Sequence, residues 1–153
     1  MTPYQRILLA TDFSDTARHA AEDAAMLARA CGATLHYLHV VEPVGYWEGF
    51  DLKHFPSPEV YDELRTSARL AIEDFHRELG GPDSHQIEVR QGKPFVEIIR
   101  AARETPADLI VVGSHGIGGI AETLFGSTAE KVIRKAPCAV LVVRHPEHAS
   151  SMP

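Results

Sequence analysis

Cysteine is almost missing from this chain, with two among 153 residues, Cys31 and Cys138. Two thiols make neither a disulfide framework nor a metal motif, and the plain expectation is a pair of buried thiols in a reducing compartment. Long apolar runs are absent as well. Stretches such as residues 109–112 have the length of a strand, well below the roughly 20 apolar residues that cross a bilayer. Residues 1–6, Met-Thr-Pro-Tyr-Gln-Arg, hold no basic stretch followed by an apolar one. The expectation is therefore no secretory leader and a cytoplasmic protein. Runs of lysine and arginine are also missing, and the formal net charge is −6. Nucleic acids and anionic membranes are held by clustered cations, so neither is an expected partner.

What is present is an ordinary globular composition, 44% hydrophobic and 24% charged, which excludes a disordered or fibrous chain. The length suits one domain, expected over residues 1–144, with 145–153 as a flexible tail. A chain of this size buries about 68–70% of its unfolded surface, enough for a full core.

Strand-like and helix-like patterns alternate from end to end. Residues 6–10 (RILLA) form a short apolar run. From Ala17, apolar residues at 17, 20, 21, 24, 27, 28 and 31 mark one helical face. Ser14 is placed to cap that helix and Gly32 to end it. Residues 34–41 make a second strand. Ser57 and Pro58 open a second helix, with Val60, Leu64, Ala68, Ala71, Phe75 and Leu79 expected inward. Residues 86–90 alternate as a third strand. Pro94 opens a third helix with Phe95, Ile98, Ile99 and Ala102 inward. Residues 108–113 (DLIVVG) are unbroken apolar strand, as in a sheet covered on both faces. A fourth helix over 127–136 and a fifth strand over 139–143 complete the series.

Five strands alternating with four helices predict an α/β fold. Right-handed crossovers make it a parallel, doubly wound, Rossmann-like sheet of order 3-2-1-4-5. Ligands of such sheets bind beyond the carboxyl ends of the strands where the winding reverses, here between strands one and four. That directs attention to residues 11–14, to Glu42 onward and to 114–126.

The last of these is rich in glycine. Gly113, Gly116 and Gly126 let backbone approach a phosphate, and Gly126, Ser127 and Thr128 open a helix whose N–H groups favour an anion. A competing reading is that Ser127 and Glu130 form a capping box and Ser127 merely caps the helix. The P-loop motif fails, because no lysine follows Gly126. A dinucleotide reading of Gly116-Ile-Gly118-Gly-Ile-Ala121 also fails. The next strand ends at Arg144 with no acidic residue for a ribose, and too little chain follows for a second half-sheet.

The spacing Gly113-x2-Gly116-x9-Gly126-Ser127 matches the G-x2-G-x9-G-[S/T] ATP-binding signature of the universal stress protein family. DLIVVGSHGIGG and LFGSTAEKVIRKAPCAVLVVR resemble that family's C-terminal half, and ILLATDFSDTA and LHYLHVVEP its first two strands. The resemblance spans residues 4–144 and is weakest over 45–69. It implies an adenine-nucleotide site. Ala10, Thr11 and Asp12 would lie against the nucleotide, and Val40 would read the adenine edge through its backbone. Val112 and Gly113 would line the nucleoside, while Gly116, Gly126, Ser127 and Thr128 would hold phosphates. Asp12 has a plainer role open to it, as a negative charge at a helix N-terminus.

Many relatives carry a basic residue where this chain has Ile117. The ligand is expected to be ATP or AMP. The missing cation lowers the attraction for a triphosphate and raises the case for AMP or another less charged adenine nucleotide, and a magnesium ion riding on phosphates would need no motif of its own. No arginine is evident at the loop, and Lys131, Arg134 and Lys135 are expected to face solvent or the C-terminal dipole of their helix. Nine histidines show no metal-ligand spacing; His36 and His39 point to opposite faces of one strand. The connection over 42–57 is long and holds Tyr46, Trp47, Phe50 and Phe55, a lid, a partner surface or a loop packed on the second helix. The apolar strand over 139–143 falls at a sheet edge, and an edge of that kind needs covering. Pairing with a second copy, as family members do, predicts a homodimer.

Three functional readings follow. The first is a nucleotide-binding stress protein acting as sensor or regulator, with a protein partner still to be identified. The second is a slow ATPase using His115 and Asp12. The third is an interaction module without nucleotide.

Overall fold

The computed structural model describes residues 3–43, 56–116 and 125–148. The 44–55 part of the aromatic connection lies outside the described residues. Five parallel strands, β1 (Arg6–Ala10), β2 (Thr34–Val41), β3 (His85–Gln91), β4 (Leu109–Gly113) and β5 (Ala139–Val143), form one sheet of order β3-β2-β1-β4-β5. The helices between them are α1 (Asp15–Cys31), α2 (Pro58–Glu78), α3 (Pro94–Glu104) and α4 (Ser127–Lys135). A single 3-10 turn, Pro146–His148, follows β5. The fold class and strand order are those the alternating pattern predicts.

The period of two along each strand divides the core into two layers. Ile7, Leu9, Leu35, Tyr37, Leu109 and Val111 pack with α1 and α2. Leu8, Leu38, Ile110 and Val112 pack with α3 and α4 on the opposite face. The stripe of α1 against the sheet is alanine at 17, 20, 21, 24, 25 and 28, all buried. Methyl groups are the only spacers, so this helix lies close to the sheet. Ser14 Oγ accepts a hydrogen bond from the Ala17 N–H at 3.2 Å, and Gly32 ends the helix in the left-handed conformation at φ 66°.

In α2, Ser57 caps and Pro58 sits in the first turn as expected. The buried face is in part the one the spacing predicts: Ala68 is buried, and Phe75 and Leu79 are half-buried against the core. Val60 and Leu64 are exposed, and so is Ala71, whereas Ile72 is fully buried beside Ala68. The stripe in contact with the sheet runs Tyr61, Ala68, Ile72, Phe75, Leu79. In α3, Ile98, Ile99 and Ala102 are buried and Phe95 is half-buried. Both cysteines are free, and both are half-buried rather than fully so.

The outer edge of β3 is occupied by side chains from α2. Arg69 Nη1 donates to the Ile87 carbonyl at 2.8 Å, and the Tyr61 hydroxyl donates to the Val89 carbonyl at 3.2 Å. Alongside, Arg90 bridges Glu88 at 2.5 Å and Glu104 at 2.6 Å, and His36 Nε2 lies 3.0 Å from Glu88. Burial holds the His36 imidazole below its ordinary pKa, against the pull of Glu88.

Candidate functional site

A cavity of about 350 Å³ opens at the carboxyl ends of β1 and β4, where the winding reverses. Its walls hold Ala10, Thr11, Asp12, Val40, Val112, Gly113, Gly116, Gly126, Ser127 and Thr128 together. Ala17, Leu38, Glu42, Pro94, Ile98, Ser114, His115 and Ala129 complete the described lining. Leu38, Pro94 and Ile98 carry no signature in the sequence. Parallel register and the placement of α3 bring them there.

The turn after β1 is built from its own side chains. The Thr11 N–H donates to the Leu38 carbonyl at 2.9 Å, continuing the sheet by one residue. Thr11 Oγ1 accepts from the Phe13 N–H at 3.1 Å, and Asp12 Oδ1 accepts from the Ser14 N–H at 3.0 Å. Between them Phe13 takes a positive φ of 64°, a conformation that costs a non-glycine residue about 1–3 kcal/mol. The Phe13 ring rests 4.7 Å from the His39 ring, centroid to centroid. His39 Nδ1 in turn donates to the Thr11 carbonyl at 2.9 Å. That bond places a hydrogen on Nδ1 and makes His39 a prop beneath the turn, a role its position in β2 does not advertise.

The glycine positions are close approaches. A Cβ on Gly113 would stand 2.9 Å from Thr16 Cγ2 and 3.2 Å from the Ala17 nitrogen, because α1 presses on the end of β4. A Cβ on Gly116 would stand 2.6 Å from Asp12 Oδ2. At Gly126 the backbone is ordinary, with φ −67°. Here the constraint is space, since a Cβ would lie 3.3 Å from the Ser114 carbonyl oxygen and 3.4 Å from His115 Cα. The Gly126 N–H donates to that same carbonyl at 2.6 Å, and the Ser114 N–H donates to the Val143 carbonyl at 2.8 Å. The two ends of the glycine segment are thus tied to each other and to β5. Residues 117–124 between them, including Ile117, lie outside the described residues.

Gly126, and not Ser127, is the N-cap of α4, and no side chain caps it. Ser127 is the first helical residue, and Glu130 pairs with Arg134 at 3.0 Å. The capping box read from the sequence is therefore not formed, and the first turn of α4 opens on the cavity with Ser127 and Thr128 in its wall. Uncapped N–H groups and the helix dipole favour an anion at this point.

The charged lining is acidic. Asp12 and Glu42 border the cavity with His115, whose Nδ1 lies 3.0 Å from Ser114 Oγ. No lysine or arginine is among the described lining residues. Lys131 and Lys135 are exposed, as expected. Their amines lie 4.9 Å and 5.4 Å from the centre of the Phe95 ring. An arginine does stand at the loop, contrary to the reading from the sequence. The Arg144 guanidinium lies 5.7 Å from the centre of the Phe125 ring, next to Gly126. Among the described residues, no group of three His, Cys, Asp or Glu side chains is arranged to hold a metal ion.

Residues 3–144 match the model of the universal stress protein family. A universal stress protein of Thermus aquaticus, encoded in the QAH/OAS sulfhydrylase 3′ region, is 36% identical over 92% of this chain and 99% of its own. Among solved structures, universal stress protein UspA from Lactobacillus plantarum superposes with a TM-score of 0.79 at 29% identity, over 94% of this chain and all of that one. A universal stress protein in complex with cAMP has a TM-score of 0.66 at 26% identity, covering 93% and 98% of the two chains. The Archaeoglobus fulgidus protein in complex with dAMP gives 0.64 at 27% identity, covering 92% and 98%.

Proposed function

This chain belongs to the universal stress protein family, and from that premise we propose that it binds an adenine nucleotide in the cavity between β1 and β4. The observation that carries the proposal is the seat at Gly126. There an uncapped helix start, two linked glycine ends and the Asp12 turn meet in one wall. In this reading Ala10, Thr11, Asp12, Val40, Val112 and Gly113 hold the nucleoside. Gly116, Gly126, Ser127 and Thr128 donate to the phosphates. Glycine at 116 and 126 keeps the seat closed up, because a Cβ would stand 2.6 Å from Asp12 Oδ2 at the first and 3.3 Å from the Ser114 carbonyl oxygen at the second and would push these walls apart. Relatives bound to cAMP and dAMP support an adenine monophosphate as ligand.

The acidic lining sets the preference. Asp12 and Glu42 repel a polyphosphate. AMP is therefore expected to bind without a metal, and ATP to bind better as its magnesium complex, the ion screening its phosphates. The protein acts as a sensor or regulator in the cytoplasm, whose reducing conditions suit its two free thiols. Its working form is a homodimer paired through β5, an edge strand with half-buried Val140, Leu141 and Val142. Nucleotide switches that dimer only by binding two of its conformations unequally.

The deciding experiment is mass spectrometry of nucleotide released on denaturing the purified protein, followed by calorimetric titration with AMP, cAMP and ATP. Micromolar binding that Gly126→Val abolishes supports the proposal. A protein that releases and binds no nucleotide refutes it, leaving the glycine segment a structural turn. Sedimentation equilibrium tests the dimer, and a concentration-independent monomer would contradict it.

A further inference from the structure

The acidic cavity leaves open how an outer phosphate is met, and the tail of β5 supplies an answer. Side chains alternate along β5. Val140 and Val142 pack into the layer with α3 and α4, the layer whose Leu38, Val40 and Val112 line the cavity. Arg144 follows in the same alternation. Its guanidinium lies 5.7 Å from the centre of the Phe125 ring, and Phe125 packs against that same layer. Phe125 is the residue before Gly126, whose N–H bonds Ser114, and Ser114 bonds the carbonyl of Val143, the residue before Arg144. Arg144 is thus fixed at both ends to the phosphate seat while its side chain stays exposed.

We propose that Arg144 is a specificity-determining residue that grips the outer phosphates of a nucleoside di- or triphosphate and takes no part in holding a monophosphate. This rests on the adenine-nucleotide reading of the cavity and deepens it. The first phosphate sits on the helix start at Gly126 and Ser127. A second or third phosphate extends outward, past Phe125. A guanidinium leaving an aromatic face gives up a weak contact and gains a charge-assisted, two-pronged bond to phosphate. Residues 117–124 hold no lysine or arginine, and among the described residues Arg144 is the cation that stands over Phe125.

The test is calorimetric titration of the full chain with AMP, ADP and ATP in magnesium buffer, for wild type, Arg144→Ala and Arg144→Lys. Arg144→Ala is expected to weaken ADP and ATP about tenfold, the scale of one exposed charge-assisted contact. AMP should stay within about twofold, and Arg144→Lys should recover part of the loss. Equal weakening of all three nucleotides, or of none, overturns the proposal. So does a wild-type chain that binds AMP but neither ADP nor ATP. If wild type binds none of the three, the adenine-nucleotide reading itself falls, which separates the two failures.

Discussion

Asp12 and Gly116 face each other across the mouth of the cavity so closely that a methyl group on Gly116 would stand 2.6 Å from Asp12 Oδ2. The turn after β1 and the segment after β4 therefore meet at a carboxylate and a bare backbone. Gly116→Ala is expected to fold, since the clash falls on the end of a side chain that can swing away. Swinging breaks the Asp12 bond to the Ser14 N–H. Nucleotide affinity should drop about tenfold or more, and the melting temperature should fall by no more than several degrees, the scale of one charged hydrogen bond. Paired calorimetry and thermal melts check this, and an unaltered affinity would show that the Asp12 turn does not touch the ligand.

Ile72 is fully buried while Leu64, two turns earlier, is exposed. Ile72→Ala should cost about 2–5 kcal/mol, the usual range for emptying a core position. Leu64→Ser should stay within about 0.5 kcal/mol, as surface changes do. Urea unfolding of the two variants separates them, and equal losses would place the buried stripe of α2 elsewhere.

Acid should weaken the protein. The His36 imidazole titrates below its ordinary value because it is buried. His76 does so because of burial and the neighbouring His85, whose ring is stacked 3.7 Å away. Unfolded histidines take up protons near pH 6.5, before the folded ones do. Stability is thus complete above about pH 6.5 and is lost as pH falls through the folded values, by up to about 1.4 kcal/mol per pH unit for His36. Tyr37, pushed up to about 12 by burial, stays neutral throughout and keeps its 2.9 Å bond to His76 Nδ1. Urea midpoints at pH 7.5 and 5.5 measure the loss, and His36→Gln should reduce it. A midpoint that rises toward acid would reverse the assignment.

Cys138 should react slowly. Burial, and then the negative charge of Asp108, push its thiol above the ordinary cysteine value. Less thiolate is present at pH 8 than in a free thiol. Alkylation by iodoacetamide, followed by peptide mass mapping, should label Cys138 more slowly than glutathione under the same conditions. A faster rate would mean that the thiolate is stabilised.

The sheet was legible because residues 7–10 of β1 and the whole of β4 are apolar without interruption, and because Ser14, Gly32 and Pro58 punctuate the helices where they end or begin. The face of α2 was legible at Ala68, Phe75 and Leu79 and not elsewhere. Tyr61 and Ile72 stand one residue past Val60 and Ala71, and period alone does not say which of each pair meets the sheet. Ser127 misleads for a related reason. A serine three residues before a glutamate is the pattern of a cap, but the helix starts one residue earlier than that pattern requires. The residues of the cavity were legible as far as their glycines. Arg144 was hidden, because it lies 18 residues beyond Gly126 and comes near it only through the pairing of β4 with β5.

The two rims of the sheet are unlike. Arg69 and Tyr61 of α2 each donate to one carbonyl of β3, those of Ile87 and Val89, so part of that rim is already occupied. No such α2-like covering is seen on β5 among the described residues. A subunit with two open rims has a valence of two and grows into a ribbon without end. A subunit with one open rim has a valence of one, and its assembly is complete at a pair. Under the pairing through β5 proposed above, two side chains of a single helix would hold that number at one.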